Sequence, residues 1–247
     1  MKNIGLVIGT YGSVPYIHLS LACLRKHEPD IKILIQDDYS EYSIELKNIC
    51  IKYDAELYTT KTRLGWFLGD MSAVFNACEW SYTKGCDIGI KLSRRFIINK
   101  KFTENLIEIF NNTEAITLSG SCINAGFGFR SECIAFNTKI WHGSSELHAI
   151  KTNIDMQDNN IGLPEKWYHD KVKSLYESQA SYNRLEYDKL YPSFNCCSGF
   201  VYWPLLGLGR CIKVDNILWH TANNINEYLI LSQQYNLPYN LEDFKKI

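Results

Sequence analysis

An α/β architecture, with a mostly parallel central sheet flanked by helices, is what this sequence predicts. Three observations carry that expectation. Short apolar, β-rich runs alternate with amphipathic helical runs through residues 1–100. Each apolar run stops abruptly in a polar or glycine-containing loop. No repeat, low-complexity tract or linker interrupts the chain, which reads as one domain over residues 1–247.

Asn3–Ile8 (NIGLVI) predicts the first strand, ended by Gly9-Thr10-Tyr11-Gly12-Ser13. Tyr16–Arg25 has helical apolar spacing in Ile17, Leu21 and Leu24. After Pro29-Asp30, Ile31–Ile35 predicts a second buried strand, ended by Gln36-Asp37-Asp38-Tyr39-Ser40. Glu41–Tyr53 predicts a helix and Ala55–Tyr58 a third strand. The loop Thr59–Leu68 carries Lys61, Arg63, Gly65 and Trp66. Asp70–Thr83 then reads as a strong helix closed by Gly85. Cys86–Ile98 (CDIGIKLSRRFII) predicts a fourth buried strand that ends in Ser93-Arg94-Arg95.

Beyond residue 98 the pattern loosens. Phe102–Phe110 predicts a helix, Ala115–Ser119 and Cys133–Phe136 strands, and Asn124–Phe129 a glycine-rich turn. Asn153–Pro164 reads as a polar loop and Glu165–Lys189 as a helix rich in Tyr and charge. Tyr191–Leu208 is aromatic with turns, Cys211–Val214 predicts a strand before Leu218-Trp219-His220, and Asn226–Gln234 a last helix.

Composition bounds the function. The chain has 247 residues, 46% hydrophobic and 21% charged, which is ordinary for a globular core. A net charge of −1 offers no basic field for nucleic acid, so any anion site is local. The 9 Cys are an odd number, scattered and without CxxC pairs, which argues against a disulfide framework or a zinc site. They point to a reducing, cytoplasmic setting. The start, MKNIGLVIGTYGS, breaks into turn residues too early for a signal peptide. No apolar run approaches the ~20 residues that span a bilayer.

In a sheet of this kind, ligands bind outside the carboxyl ends of the strands. The loops there hold most of the polar oddities of residues 1–100: Thr10 and Tyr11, Asp37 and Asp38, Arg63 with Gly65 and Asp70, and Ser93-Arg94-Arg95. Asp37 and Asp38 suit a nucleobase N–H or ribose hydroxyls; Asp38 suits a cap on the next helix equally well. Arg63 and Gly65 precede a helix N-terminus, which attracts phosphate, and Asp70 is a ligand contact or a plain cap. Lys91, Arg94 and Arg95 crowd three cations within five residues, as a diphosphate clamp would, although a solvated pair at a strand exit is the ordinary alternative. His220 suits a phosphate, a metal or the core. Among Asp155, Asp158, Glu165 and Asp170, one is a candidate general base. Neither GxxxxGK[ST] nor GxGxxG is present.

The segments VIGTYGSVPYIHLSLACLR, ILIQDDYSEYS, RLGWFLGDMSAVFNACEW and CDIGIKLSRRF together resemble the nucleotide-sugar-binding half of GT-A-fold glycosyltransferases, family 2 type. Asp37-Asp38-Tyr39-Ser40 matches that family's DDxS motif, whose first Asp sits on the base. Gly65–Asp70 is similar to its glycine loop, and Leu218-Trp219-His220 to a late His near the metal or diphosphate. The resemblance implies a nucleotide-sugar-binding half over residues 1–100 and an acceptor-binding half over 101–247. It also implies an enzyme moving a sugar from a nucleotide-diphosphate donor to a glycan or other hydroxyl acceptor, with Glu165 or Asp170 as base. Thr10, Tyr11, Asp37, Asp38, Arg63, Gly65, Asp70, Lys91, Ser93 and His220 are then donor contacts.

The departure lies at the fourth strand, where the family's metal-binding DxD is replaced by Ser93-Arg94-Arg95. Arginine cannot ligate Mn²⁺ or Mg²⁺ but can neutralise a leaving diphosphate directly. The expectation is a metal-independent transferase with Arg94 and Arg95 as the clamp, and Mn²⁺ or Mg²⁺ the alternative should that reading fail. A second expectation is a catalytically inactive GT-A-like domain that binds sugar nucleotide or glycan as a partner subunit. Transfer or hydrolysis of a sugar nucleotide separates the two.

Overall fold

The computed structural model describes residues 3–112, 117–120, 130–158, 167–168, 170–171, 174–175, 199–202, 211–213, 217–218 and 225–245. Four parallel strands form one half of an eight-stranded sheet: β1 (Ile4–Thr10), β2 (Lys32–Asp37), β3 (Glu56–Thr59) and β4 (Ile88–Ser93). Between them run α1 (Val14–His27), α2 (Ser43–Lys52) and α3 (Gly65–Thr83). The α/β class expected from the sequence is present, with helices covering both faces of the parallel strands.

Two further strands continue the sheet antiparallel past β4, namely β6 (Thr117–Gly120) and β7 (Arg130–Asn137). With β8 (Gly199–Tyr202) and β9 (Cys211–Lys213) the order is β3-β2-β1-β4-β7-β6-β8-β9. A separate ribbon pairs β5 (Ile97–Ile98) with β10 (Ile217–Leu218). The remaining helices described are α4 (Thr103–Asn112), α5 (Thr138–Trp141), α6 (Ser145–Met156), α7 (Ile225–Gln234) and α8 (Leu241–Lys245).

β1 is central and buried along nearly its whole length, which explains its unbroken apolar run. On one sheet face Ile8, Ile33, Ile35, Ile90 and Leu92 pack against Ile17, Leu21 and Leu24 of α1. On the other, Val7, Leu34, Ile134 and Phe136 pack against Leu68, Met71, Val74 and Cys78 of α3. A third cluster lies on the outer side of α1, where Tyr16, Leu19 and Cys23 meet Tyr228, Leu231 and Phe244 of α7 and α8. Helix α3 lies unusually close to the sheet: a Cβ on Gly89 would fall 1.8 Å from the Ala77 carbonyl oxygen, so β4 admits only glycine there.

Several boundaries differ from the sequence expectation. Helix α3 begins at Gly65 rather than Asp70, so Asp70 sits in its second turn and is not a cap. Helix α6 was not expected, because residues Ser145–Met156 alternate charge and apolar side chains weakly. Its start is fixed by Ser144, whose hydroxyl accepts from the Leu147 N–H at 3.1 Å. Helix α8 is five residues long and equally lacks a periodic signal. Among the described residues no helix is long and apolar enough to cross a membrane. Cys23, Cys50, Cys78, Cys86 and Cys133 are buried. Burial pushes the Cys23 and Cys50 thiols up to about 12, so they act as small apolar groups.

Candidate active site

The strand order creates a switch point. From β1 the chain steps outward to β2 and β3, then returns to lay β4 on the other side of β1. The crevice outside the carboxyl ends of β1 and β4 is where such sheets bind ligands. Gly9 pairs with Ser93 in register, so the arginine doublet leaves the sheet at that crevice. Thr10 pairs with Asp37 on the other side, so Asp37-Asp38 and Arg94-Arg95 emerge on either side of the first loop.

The aspartates are held inward. Asp37 is fully buried, and its carboxylate accepts from the Gly12 N–H (3.1 Å), the Ser40 N–H (2.9 Å) and the Ser40 hydroxyl (2.9 Å). These bonds tie the loop after β1 to the loop after β2. Gly12 sits at φ +64°, and a Cβ there would come 2.8 Å from the Tyr42 ring, so this loop needs glycine twice over. Asp38 accepts from the Thr60 hydroxyl (3.2 Å), the Leu64 N–H (2.8 Å) and the Gly65 N–H (2.9 Å). Asp38 therefore caps a helix, but the helix is α3, reached across the sheet edge. The alternative cap on α2 is not made, and Tyr42, which precedes α2, gives it no side-chain cap. Gly65 contributes its N–H to Asp38 and a left-handed φ of +82° that turns the chain into α3. Thr10 is buried, with its hydroxyl donating to the Gly12 carbonyl at 2.7 Å.

Lys91 does not join the arginine pair. Its side chain is 1% exposed, points toward α3 and pairs with Asp70. The Tyr168 hydroxyl also donates to Asp70, at 3.3 Å. The crowding of three cations read from the sequence thus resolves into one buried ion pair on the α3 side and two guanidiniums on the α1 side. Alternation along β4 explains the split: Ile90 and Leu92 face α1, so Lys91 between them faces α3.

The two guanidiniums are unlike Lys91. Arg94 and Arg95 each have a buried Nε without a hydrogen-bond partner among the described residues. Both are held below the usual arginine range, first by burial; for Arg94 the Arg95 charge adds to the effect. The Arg95 guanidinium lies 5.7 Å from the Tyr16 ring centroid. Two half-buried cations side by side, with hydrogen-bonding capacity left over, make the end of β4 locally electropositive.

Tyr11 and Arg63 complete the rim. Tyr11 is 40% exposed, and the Arg63 guanidinium stacks over its ring at 4.1 Å. Tyr39, between Asp38 and Ser40, is exposed and held at φ +59°, a costly conformation for a tyrosine. Trp66, in the first turn of α3, is also exposed. Next to Tyr11 a cleft of about 370 Å³ opens between Ser13, Ser40, Tyr42, Tyr239 and Asp243.

Asp170 is exposed, two residues past Tyr168. Asp155 pairs with Lys151 on the surface of α6, and Asp158 lies just beyond that helix. Glu165 and His220 lie outside the described residues. The residues that sequence reading missed are Tyr16 and Tyr228, which seat the arginine turn. No local pattern marks them, since Tyr228 lies 133 residues from Arg95.

The strand end carries cations where a metal site would carry carboxylates. Two guanidiniums repel a divalent cation, and the neighbouring carboxylates, Asp37 and Asp38, already accept three hydrogen bonds each. Among the described residues no three His, Cys, Asp or Glu side chains gather as a metal-holding group.

No protein-family model matches the chain, and no curated protein is similar to it. Solved structures are. The glycosyltransferase GlyE of Streptococcus pneumoniae TIGR4 has a TM-score of 0.48 at 18% identity, covering 76% of this chain and 46% of its own. TarS of S. aureus has a TM-score of 0.45 at 11% identity, covering 69% and 34%. The mannosyltransferase PcManGT of Pyrobaculum calidifontis, solved with GDP-Man and Mn²⁺, has a TM-score of 0.44 at 12% identity, covering 57% and 46%. This chain spans less than half the length of each.

Proposed function

We propose that this chain binds a nucleotide-diphosphate sugar at the β1–β4 switch point and transfers the sugar to a hydroxyl acceptor, in the manner of a GT-A-fold glycosyltransferase. The observation that carries the reading is the pair of buried, unpartnered guanidinium nitrogens on Arg94 and Arg95. A diphosphate offers bidentate oxygens and negative charge, and so satisfies both defects together.

In the transfer, the bond between the anomeric carbon and the diphosphate oxygen breaks, and the acceptor oxygen bonds that carbon. The departing diphosphate gains charge, which Arg94 and Arg95 neutralise at the position where the family it resembles holds a metal ion. The acceptor proton passes to a carboxylate, with Asp170 and Glu165 as the candidates. Tyr11, stacked under Arg63, offers an exposed face to a nucleobase. Asp37 and Asp38 act mainly by shaping the loops, and Lys91 with Asp70 by fixing α3 against β4.

The test is thermal shift and isothermal titration with UDP, GDP, dTDP and CMP and their sugars, with and without Mn²⁺. At least one nucleotide raises the melting temperature without metal, by mass action on the folded state. Chelator leaves that shift in place. A null result across the series overturns the reading, and a shift that appears only with Mn²⁺ overturns the arginine clamp. Sugar transfer or sugar-nucleotide hydrolysis then separates an active enzyme from a binding subunit.

A further inference from the structure

The turn that presents the arginine pair is seated on the C-terminal helices. After β4 the chain reverses, with the Phe96 N–H donating to the Ser93 carbonyl at 3.0 Å. From α7, the Tyr228 hydroxyl donates to the Arg95 carbonyl at 2.5 Å. Tyr228 is 1% exposed. Its ring meets Tyr16 edge-on at 4.9 Å, and both rings contact Phe244 of α8, at 6.0 and 5.2 Å. The Tyr16 hydroxyl donates to the Phe244 carbonyl at 2.7 Å. Three aromatic rings thus form a seat under the turn, and the Arg95 guanidinium lies over one of them.

We propose that Tyr228 is a positioning residue for the arginine pair, fixing the Ser93–Arg95 turn so that both guanidiniums face the switch point. This rests on the donor-site reading above. The guanidinium Nε atoms meet no acceptor among the described residues, so no hydrogen bond from either Nε holds the turn; the Tyr228 bond to the Arg95 carbonyl does. A bidentate contact is sensitive to misplacement, so slack in the turn weakens anion binding. Burial raises the Tyr228 hydroxyl above its ordinary range, which keeps it a donor at neutral pH.

The control is Tyr235, at the end of the same helix, whose hydroxyl donates to the Asn99 side chain at 2.6 Å. Tyr235→Phe removes this bond, whose acceptor lies four residues beyond Arg95, together with a contact to the His27 ring at 3.2 Å. Isothermal titration with inorganic pyrophosphate, with melting temperatures measured alongside, compares the wild type with Y228F, Y235F and R94A/R95A. The expected result is pyrophosphate binding by the wild type and its loss in R94A/R95A. Y228F weakens binding by about tenfold, the scale of one hydrogen bond. Y235F stays within about twofold of wild type at a similar loss of melting temperature. If Y228F binds as tightly as the wild type, or Y235F weakens binding equally, Tyr228 is structural only and the inference fails while the donor-site reading stands. If the wild type does not bind, or R94A/R95A binds as well as it does, both fall.

Discussion

Two charged doublets leave this sheet on either side of the first strand, and the fold treats them in opposite ways. Asp37 and Asp38 each accept three hydrogen bonds from neighbouring loops and from the start of α3. Arg94 and Arg95 are left with buried nitrogens that meet no acceptor among the described residues. Both doublets look like ligand contacts in one dimension. In three, the aspartates are joints of the scaffold and the arginines are its spare capacity. Buried polar groups in native proteins are almost always satisfied, and the adjacent arginine nitrogens, like the lone hydroxyls of Ser20 and Ser81, are exceptions; the proposed diphosphate would remove the arginine pair's defect.

The contrast breaks or sharpens under substitution. The largest effect is expected at Lys91, the cation that the fold does satisfy. Lys91→Ala leaves a cavity and strands the Asp70 carboxylate, lowering stability by about 3–5 kcal/mol in denaturant titration. Asp38→Ala comes next, at about 3 kcal/mol, because the Leu64 and Gly65 N–H groups lose their acceptor. A stability loss below about 1 kcal/mol there would mean the aspartates are not structural joints. R94A/R95A is expected to invert the pattern: stability stays within about 1 kcal/mol of wild type, while nucleoside diphosphate binding falls at least about 100-fold by calorimetry. An unfolded double variant would erase the distinction between the doublets.

The smallest effect tests a third way of handling charge. His18 is buried against Lys52 (3.5 Å to Nε2) and Tyr239 (2.8 Å to Nδ1). Burial first, and Lys52 second, push it down from 6.5 to about 4. The folded state therefore favours neutral imidazole. Its contribution is complete above pH 6.5 and is lost as pH falls toward 4, on the order of 2 kcal/mol. Melting temperatures between pH 7 and pH 4 should fall, and His18→Gln should flatten that part of the decline. An unchanged slope in the variant would assign the acid sensitivity elsewhere.

How much of this was legible follows from the range of the interactions. The parallel half was, because a strand buried on both faces must be apolar throughout, as in Leu6, Val7 and Ile8. The cluster of polar loops at its carboxyl edge followed from the same alternation of strands and helices. Asp38 as a helix cap was legible in kind and not in partner, since its N–H donors come from 26 and 27 residues away. Lys91 departs from the cation cluster because strand alternation places it on the face opposite Ile90 and Leu92, toward α3, which begins at Gly65 rather than at Asp70. The Tyr16–Tyr228 seat was invisible, because nothing local to either tyrosine records the other.

That seat has a consequence in time as well as in space. The Tyr16 hydroxyl reaches a carbonyl 228 residues further along the chain, and Arg95 is tied to a helix 133 residues away. On a ribosome the early strands and helices emerge first and can begin to pair. The arginine turn gains its seat only after residue 244 has been made and docked. On the proposed donor-site reading, anion binding would mature only once α7 and α8 have docked, later than the strands that carry the arginines.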